Sequence, residues 1–503
     1  MSANVYSDYS RDHVGFFFGL SLVELMILAA STLPVLWAIS RQAWGSMWWL
    51  LLVFVIVALV TIVKIQGRSA VGWAKSTILF MVASLTGARA FTSRAARGQA
   101  EDLDDIDLPG VLQGIEVQDG PPHGPTMERT AIIRDNATRT WAVTASLVHP
   151  GIGMSDADER NRQGAGLAGL LDIASRGELI DEIIFQVRTV PDDGAERGIW
   201  VERHRVTGRS ELASRINDDL QRGLTQASVR TETFITLVVP ERRIARSARE
   251  GGGGFEARAR VLHGLMDEIE SHLRGGLAVI DIHWLTSPEL ASACRTGFAP
   301  GDRAGIIEAL ASRDMNPGVN AAVPWAMAGP SGADAGARHY SHDAWDSVSS
   351  TVKLPAKGAV IGALAPVLTP TESGERRSFM VAFPILTQHH AERTADNAEF
   401  ASDMAGELRR KAGVKPKARH RNEAAKAQGM DEKLARGNSM TRPYAVATVT
   451  VPRTAPIIEY GRRLDASIRV AGFSPLRLDL AQDRAFAASS VPLGVCLTRD
   501  GVA

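Results

Sequence analysis

Few residues in this chain have the types and spacing to do chemistry. His339, Tyr340, Ser341, His342 and Asp343 follow one another, and two imidazoles three apart beside a carboxylate could begin a metal site. A structural metal site needs four ligands and a catalytic one at least three, and no distant ligand completes this set. The stretch therefore reads first as a structural turn with paired side chains, and only second as a ligand or catalytic cluster. His389 and His390 make a poorer pair still. Gly67 to Ser76, GRSAVGWAKS, approximates a phosphate-cradling loop, but two residues separate its second glycine from the lysine. In a working loop the lysine follows that glycine at once, between a buried strand and a helix. Here an apolar span precedes it, so the chain is read as lacking a P-loop. No HExxH and no GxSxG occurs. Ser287-Pro288-Glu289 reads as the start of a helix with Ser287 as N-cap, and His149-Pro150-Gly151 as a turn. Cys294 and Cys496 have no second cysteine or histidine at metal or disulfide spacing. No catalytic residue is nominated, and no cofactor or metal is expected.

The elements that must carry these residues are unevenly distributed. The chain has 503 residues, with 56 basic and 56 acidic side chains. At about 150 residues per domain this length accommodates about three folding units. The zero balance argues against a broad grip on nucleic acid, which ordinarily draws on a basic excess. Yet Phe16 to Ile39 holds one charge, Glu24, and Met47 to Val63 holds none. A spanning helix needs about 20 apolar residues, with about 17 as the lower limit. Residues 1–66 are therefore expected to form a two-helix transmembrane hairpin, with spans at about 16–39 and 47–65. Arg41 is the only basic residue between the spans, whereas Lys64, Arg68, Lys75, Arg89, Arg94 and Arg97 follow the second. The positive-inside rule puts both termini in the cytoplasm, and Trp44, Trp48 and Trp49 sit where an outer aromatic belt belongs.

Residues 67–107 are expected to form a basic amphipathic juxtamembrane helix, favoured by anionic lipid, and then an acidic linker. Beyond it, strand-like runs alternate with helical ones. Strands are expected at 131–133, 140–148, 183–190, 233–239, 277–282, 347–353, 378–383, 444–451 and 476–480. Helices are expected at 156–175, 211–223, 255–274 and 457–470. The fold class is thus an α+β membrane protein, with the hairpin followed by mixed α/β cytoplasmic domains. Helices would pack on mixed sheets, and 140–190 and 444–480 could each be one βαβ unit. The domain boundaries are 108–249 for the first unit and 250–503 for the second, the EGGGG run at 250–254 acting as hinge. A charged helical insertion occupies about 391–440. Its basic centre, Lys411, Lys415, Lys417, Arg419 and Arg421, reads first as a solvated face and second as a docking patch. No sequence repeat stands out.

The tail reads Gln482-Asp483-Arg484-Ala485-Phe486, then Val491-Pro492-Leu493-Gly494. A strand, Gln-Asp-x-Ala-Phe and an apolar Pro-Leu-Gly turn resemble the end of the N-terminal, non-ATPase domain of conjugation ATPases of the TrbE/CagE class. The whole layout is similar to an actinobacterial family of integral membrane proteins associated with conjugation or type IV secretion. The resemblance is carried by the hairpin, Trp73, Leu108-Pro109-Gly110, the His-Tyr-x-His-Asp stretch and the terminal Gln-Asp-x-Ala-Phe. It departs from that family at Ser489-Ser490-Val491, where a more apolar run is usual.

The resemblance implies a non-catalytic inner-membrane component of a conjugation or type IV secretion-like machine. Such a subunit would anchor a separate P-loop ATPase beside membrane lipids and other secretion subunits, in an oligomeric assembly. His339, Tyr340, His342, Asp343, Gln482, Asp483, Phe486, Pro492 and Gly494 become its interaction or structural residues. Two alternatives stand beside it: a type VII secretion membrane subunit, and a membrane-tethered enzyme using His339, His342 and Asp343.

Overall fold

The computed structural model describes residues 22–497, except positions 63, 66–67, 154, 205–209, 228, 356–357 and 373 and nearly all of 394–436. The basic patch at Lys411, Lys415, Lys417, Arg419 and Arg421 lies outside the described residues, as does the start of the first expected span. Helix α1 (Leu22–Ser40) turns at residues 41–43 and packs against α2 (Trp44–Ile62). Within α2, Trp44–Thr61 is long and apolar enough to cross a membrane, the one such helix among the described residues. The apolar part of α1, Met26–Ser40, is shorter.

Helix α3 (Ala70–Leu85) covers only the first half of the expected juxtamembrane helix. Past Leu85 the chain turns, and β1 (Ala90–Thr92) joins the main sheet. The change of charge sign after residue 100 then has a local cause. The acidic linker folds back so that Asp105 and Asp107 pair with Arg94.

Apart from the short antiparallel pair Lys64–Ile65 and Arg68–Ser69, the remaining strands are β2 (Ile115–His123), β3 (Glu128–Asp135), β4 (Thr140–Val148), β5 (Glu182–Pro191), β6 (Val229–Pro240) and β7 (Asp281–Trp284), then β8 (Gly332–Ala335), β9 (Tyr340–His342), β10 (Trp345–Lys353), β11 (Arg376–Pro384), β12 (Tyr444–Pro452) and β13 (Ser474–Arg477). All belong to one sheet in the order β1-β8-β9-β10-β12-β11-β5-β6-β4-β3-β2, with β13 on β10 and β7 on β4. Every pairing in it is antiparallel. This corrects the expectation of mixed sheets and simple βαβ units. β4 and β5 do run parallel, but β6 lies between them and pairs with both. In the same way β10 separates β12 from β13. The sheet is also continuous across residues 249 and 250, through the pairing of β5 with β11.

That pairing is the centre of an internal duplication. The order β2-β3-β4-β6-β5, read inward from one edge, matches β8-β9-β10-β12-β11 read inward from the other side, where β1 is added outside β8. Each half is a three-strand meander, then a helix, a strand, a long connection, a strand, a helix, and a short strand added to the meander's last strand. Even the register repeats: Thr144 opposes Thr236 in the first half, and Ser349 opposes Thr448 in the second.

Helices cover both faces, since a sheet of this size leaves apolar side chains on each. On one face α4 (Ala157–Arg176), α7 (Glu241–Ser247) and α8 (Phe255–Leu277) enclose a core around Val143, Ile183, Ile235 and Leu262. Beside it α12 (Ala365–Leu368) and α13 (Ile457–Val470) enclose another around Phe379, Val449 and Leu464. The opposite face carries α9 (Ser287–Phe298), the one-turn α11 (Trp325–Ala328) and α14 (Gln482–Ser490) over a shared core with Phe298, Met380, Val446 and Phe486. The N-cap of α9 falls on Thr286 rather than Ser287. The Glu289 carboxylate accepts from its backbone N–H and from its hydroxyl. Helices α5 (Ala195–Arg203) and α6 (Glu211–Ala227) fill the connection from β5 to β6, and α10 (Arg303–Met315) packs on α5. The charged insertion anticipated over 391–440 occupies the equivalent connection, from β11 to β12.

Candidate functional site

The central and terminal motifs, more than 130 residues apart in sequence, meet at one place. β9 brings Tyr340 and His342 beneath the first turns of α14, because β9 is the middle strand of the second meander and α14 lies over it. The Phe486 ring packs, tilted, 4.3 Å from His342, 5.2 Å from Tyr340 and 5.4 Å from Phe298 at the end of α9. Four rings from three elements thus form one buried cluster, and close ring packing adds to the area each buries.

His342 is fully buried, and its hydrogen bonds fix its state. Nδ1 lies 2.7 Å from the Phe298 carbonyl oxygen, which can only accept, so Nδ1 carries the proton. Burial first, and then the charge of Arg376, hold the pKa of the ring well below the ordinary histidine value. The neutral Nε2 therefore accepts from Ser347 Oγ at 2.8 Å. Ser347 Oγ accepts from Thr450 Oγ1 at 2.7 Å, and Thr450 accepts from Arg376 Nη2 at 3.2 Å. This is a directed chain from a guanidinium to a backbone carbonyl.

The other anticipated residues are likewise engaged. Asp343, at φ +48°, accepts from Ser331 N at 2.7 Å and pairs with Arg295 at 3.1 Å. Gln482 is buried and bridges both backbone groups of Ser349, accepting from its N–H at 2.7 Å and donating to its carbonyl at 3.2 Å. Pro492 offers its carbonyl to Thr144 Oγ1 at 3.0 Å, carrying the tail across into the first half. Gly494 has φ +72°, and a Cβ there would lie 3.2 Å from both Ala142 Cβ and Thr236 Cγ2. Only glycine meets the conformation and the space together. His339 lies at the outer end of the β8–β9 hairpin and makes no ligand set with His342 and Asp343. No group of three or more potential metal-ligating side chains occurs among the described residues. Both cysteines are buried, and neither is in a disulfide.

Several functional-looking residues were not singled out by the sequence reading. Arg188 in β5 is almost fully buried at the junction of the halves. Its guanidinium donates to the Ala293 and Ser490 carbonyls at 2.8 and 3.0 Å and pairs with Glu232 at 2.7 Å. Burial raises the pKa of Glu232, but Arg188, Arg230 and Arg303 outweigh it, and the net direction is down. Arg376 donates to the Thr296 carbonyl at 2.8 Å, and its pKa is lowered to about 9 by burial and then by Arg188. The signal was in the sequence: Arg188 interrupts the apolar run IIFQVRTV, and Arg376-Arg377 precede SFMVAF. An arginine inside such a strand either faces solvent or anchors a buried network.

The ring cluster also walls a cavity of about 490 Å³. Its other sides are Asp483 at the start of α14, the β8–β9 hairpin, and the loop of residues 88–113 that leads in from α3. Burial pushes the Asp483 carboxyl above the ordinary carboxylate range. Tyr340 is pushed up by burial and then by Asp483. No protein-family model and no curated protein matches the chain.

Proposed function

We propose that this chain is a membrane-anchored scaffold subunit of a conjugation or type IV secretion-like machine, holding a separate P-loop ATPase at the inner membrane. On this reading α1 and α2 form a two-span hairpin with both termini in the cytoplasm, and the sheet body is the docking platform. The observation that carries it is the pairing of a membrane-length apolar helix with a solvent-facing apolar stripe on the body. In α6, Leu212, Ile216 and Leu220 are 68, 59 and 58% exposed at four-residue spacing. Ion pairs Glu211–Arg215 and Asp219–Arg222 lie beside the stripe on the same helix. An apolar centre with a polar rim is the anatomy of a protein interface, and exposed stripes of this kind mark contact sites. We assign this face of α6 to the ATPase. Anchoring by α2 would raise the effective concentration of that partner at the membrane.

The ring cluster and the tail then serve as the brace that ties the two halves into one platform. The test is affinity purification of the tagged chain from its native membrane in mild detergent, with mass spectrometry of what co-elutes. Recovery of a P-loop ATPase with conjugation subunits supports the proposal. Recovery of type VII components instead moves the chain to that machine, and a chain that elutes alone and monodisperse overturns the scaffold reading.

A further inference from the structure

The 490 Å³ cavity beside α14 has walls of two characters. Its inner wall is aromatic and apolar, with Phe91, Tyr340 and Phe486, and includes the Asp483 carboxyl. Its outer wall is cationic, with Arg89, Arg94 and Arg97 from the loop that follows α3. The three guanidinium groups are not equivalent. Arg89 donates to the Ala335 carbonyl and pairs with Asp334, and Arg94 is held by Asp105 and Asp107. The Arg97 side chain has no hydrogen bond or ion pair among the described residues. The cavity wall therefore presents one uncommitted cation at its mouth, and deeper in, a carboxyl and a phenol flanked by rings.

The duplication sharpens the contrast. In the first half the corresponding helix, α9, is covered at its first turn by α11, where Trp325 Nε1 donates to Ser287 Oγ at 2.8 Å. In the second half the place against α14 is taken by a short 3-10 turn, Gly110–Leu112, and the loop from α3. The cavity opens between that loop and the rings.

A carboxyl beside aromatic rings suits a polyol: hydroxyl groups hydrogen-bond to the acid while the carbon faces lie against the rings. An arginine at the mouth suits a phosphate. The loop bearing it starts three residues after the exposed Leu85 at the end of α3. We propose that this cavity binds the phosphorylated polyol headgroup, glycerol or inositol, of an anionic phospholipid. Arg97 engages the phosphate, and Asp483 and Tyr340 engage the hydroxyl groups. The inference rests on the membrane-anchored reading above, but not on the identity of the partner machine.

The test is native mass spectrometry of the full chain in neutral detergent, with dioleoyl phosphatidylinositol, phosphatidylglycerol, phosphatidic acid or phosphatidylcholine added. Retention of the inositol or glycerol lipid about tenfold above phosphatidylcholine is expected. Arg97→Glu, at an exposed position, should remove that preference. Asp483→Asn, which keeps the shape of the side chain, should lower retention of the polyol lipids to the level of phosphatidic acid. Equal retention of phosphatidylcholine, or an unchanged preference in Arg97→Glu, overturns the proposal. Glycerol 3-phosphate or inorganic phosphate displacing the lipid at equal concentration overturns the lipid assignment in favour of a soluble phosphate ligand. A chain that binds the lipid yet co-purifies with no ATPase separates failure of the scaffold reading from failure of this one.

Discussion

At the scale of the residue, His342 shows how a side chain of catalytic type can be wholly structural. Its two nitrogens are spent on Phe298 and Ser347, and burial keeps the ring neutral. The folded-state pKa lies below the unfolded value, so its contribution is present above about pH 6.5 and is lost as pH falls below it, by up to about 1.4 kcal/mol per pH unit. His263, lowered to about 4 by burial and then by neighbouring His123, has the same sign. His283, raised mainly by its hydrogen bond to Glu289, has the opposite sign, its contribution fading as pH rises. The thermal stability of the wild type is therefore expected to change little from pH 7.5 to about 6.5 and to fall from there to pH 5.5. In His342→Gln the midpoint at pH 7.5 should fall while the slope against pH becomes shallower, because one buried neutral imidazole is gone. An unchanged slope would mean that His342 is not what the acid attacks.

At the scale of the element, the close approach of α4 and α8 is set by two glycines. A Cβ on Gly166 would lie 2.0 Å from the backbone oxygen of Gly276, so the helices can cross at this spacing only without a side chain there. Gly166→Ala should force them apart and cost about 1–3 kcal/mol, read as a lower denaturation midpoint. Gly169→Ala, one turn on with nothing within 4 Å, should be neutral or stabilising by up to about 1 kcal/mol. Helices of this kind were legible from periodicity. The expected 156–175, 255–274 and 457–470 match α4, α8 and α13 within a few residues, apart from the last turn of α8. The juxtamembrane helix was overextended because its basic residues after Leu85 read as one amphipathic face. Those arginines instead turn back, to Asp334 from Arg89 and to Asp105 and Asp107 from Arg94, at a distance that periodicity does not register.

At the scale of the whole molecule, what escaped the sequence is the pairing of distant strands. The duplication is plain in the register and almost erased in the residues. The hydroxyl pair Thr144–Thr236 has its counterpart in Ser349–Thr448, but the next pair is Ala142–Val238 in one half and Ser347–Thr450 in the other. The candidate site was half legible: Phe486, Tyr340 and His342 were named, but their meeting depends on β9 and α14 being stacked, which no local pattern specifies.

The same duplication sets the apolar stripe of α6 in a connection outside the shared sheet and its three cores. Removing the stripe should therefore leave the body intact. The triple substitution Leu212→Ser, Ile216→Ser and Leu220→Ser is expected to change the unfolding free energy by less than about 1 kcal/mol, as exposed positions do, leaving the unfolding midpoint nearly unchanged. If the proposed ATPase is the partner, the substitution is expected to cut its co-purification about tenfold or more, since truncation at the apolar centre of an interface costs about 2 kcal/mol for each anchoring side chain. Loss of the partner with an unchanged midpoint would place the contact on α6. Undiminished recovery would move it elsewhere on the sheet body.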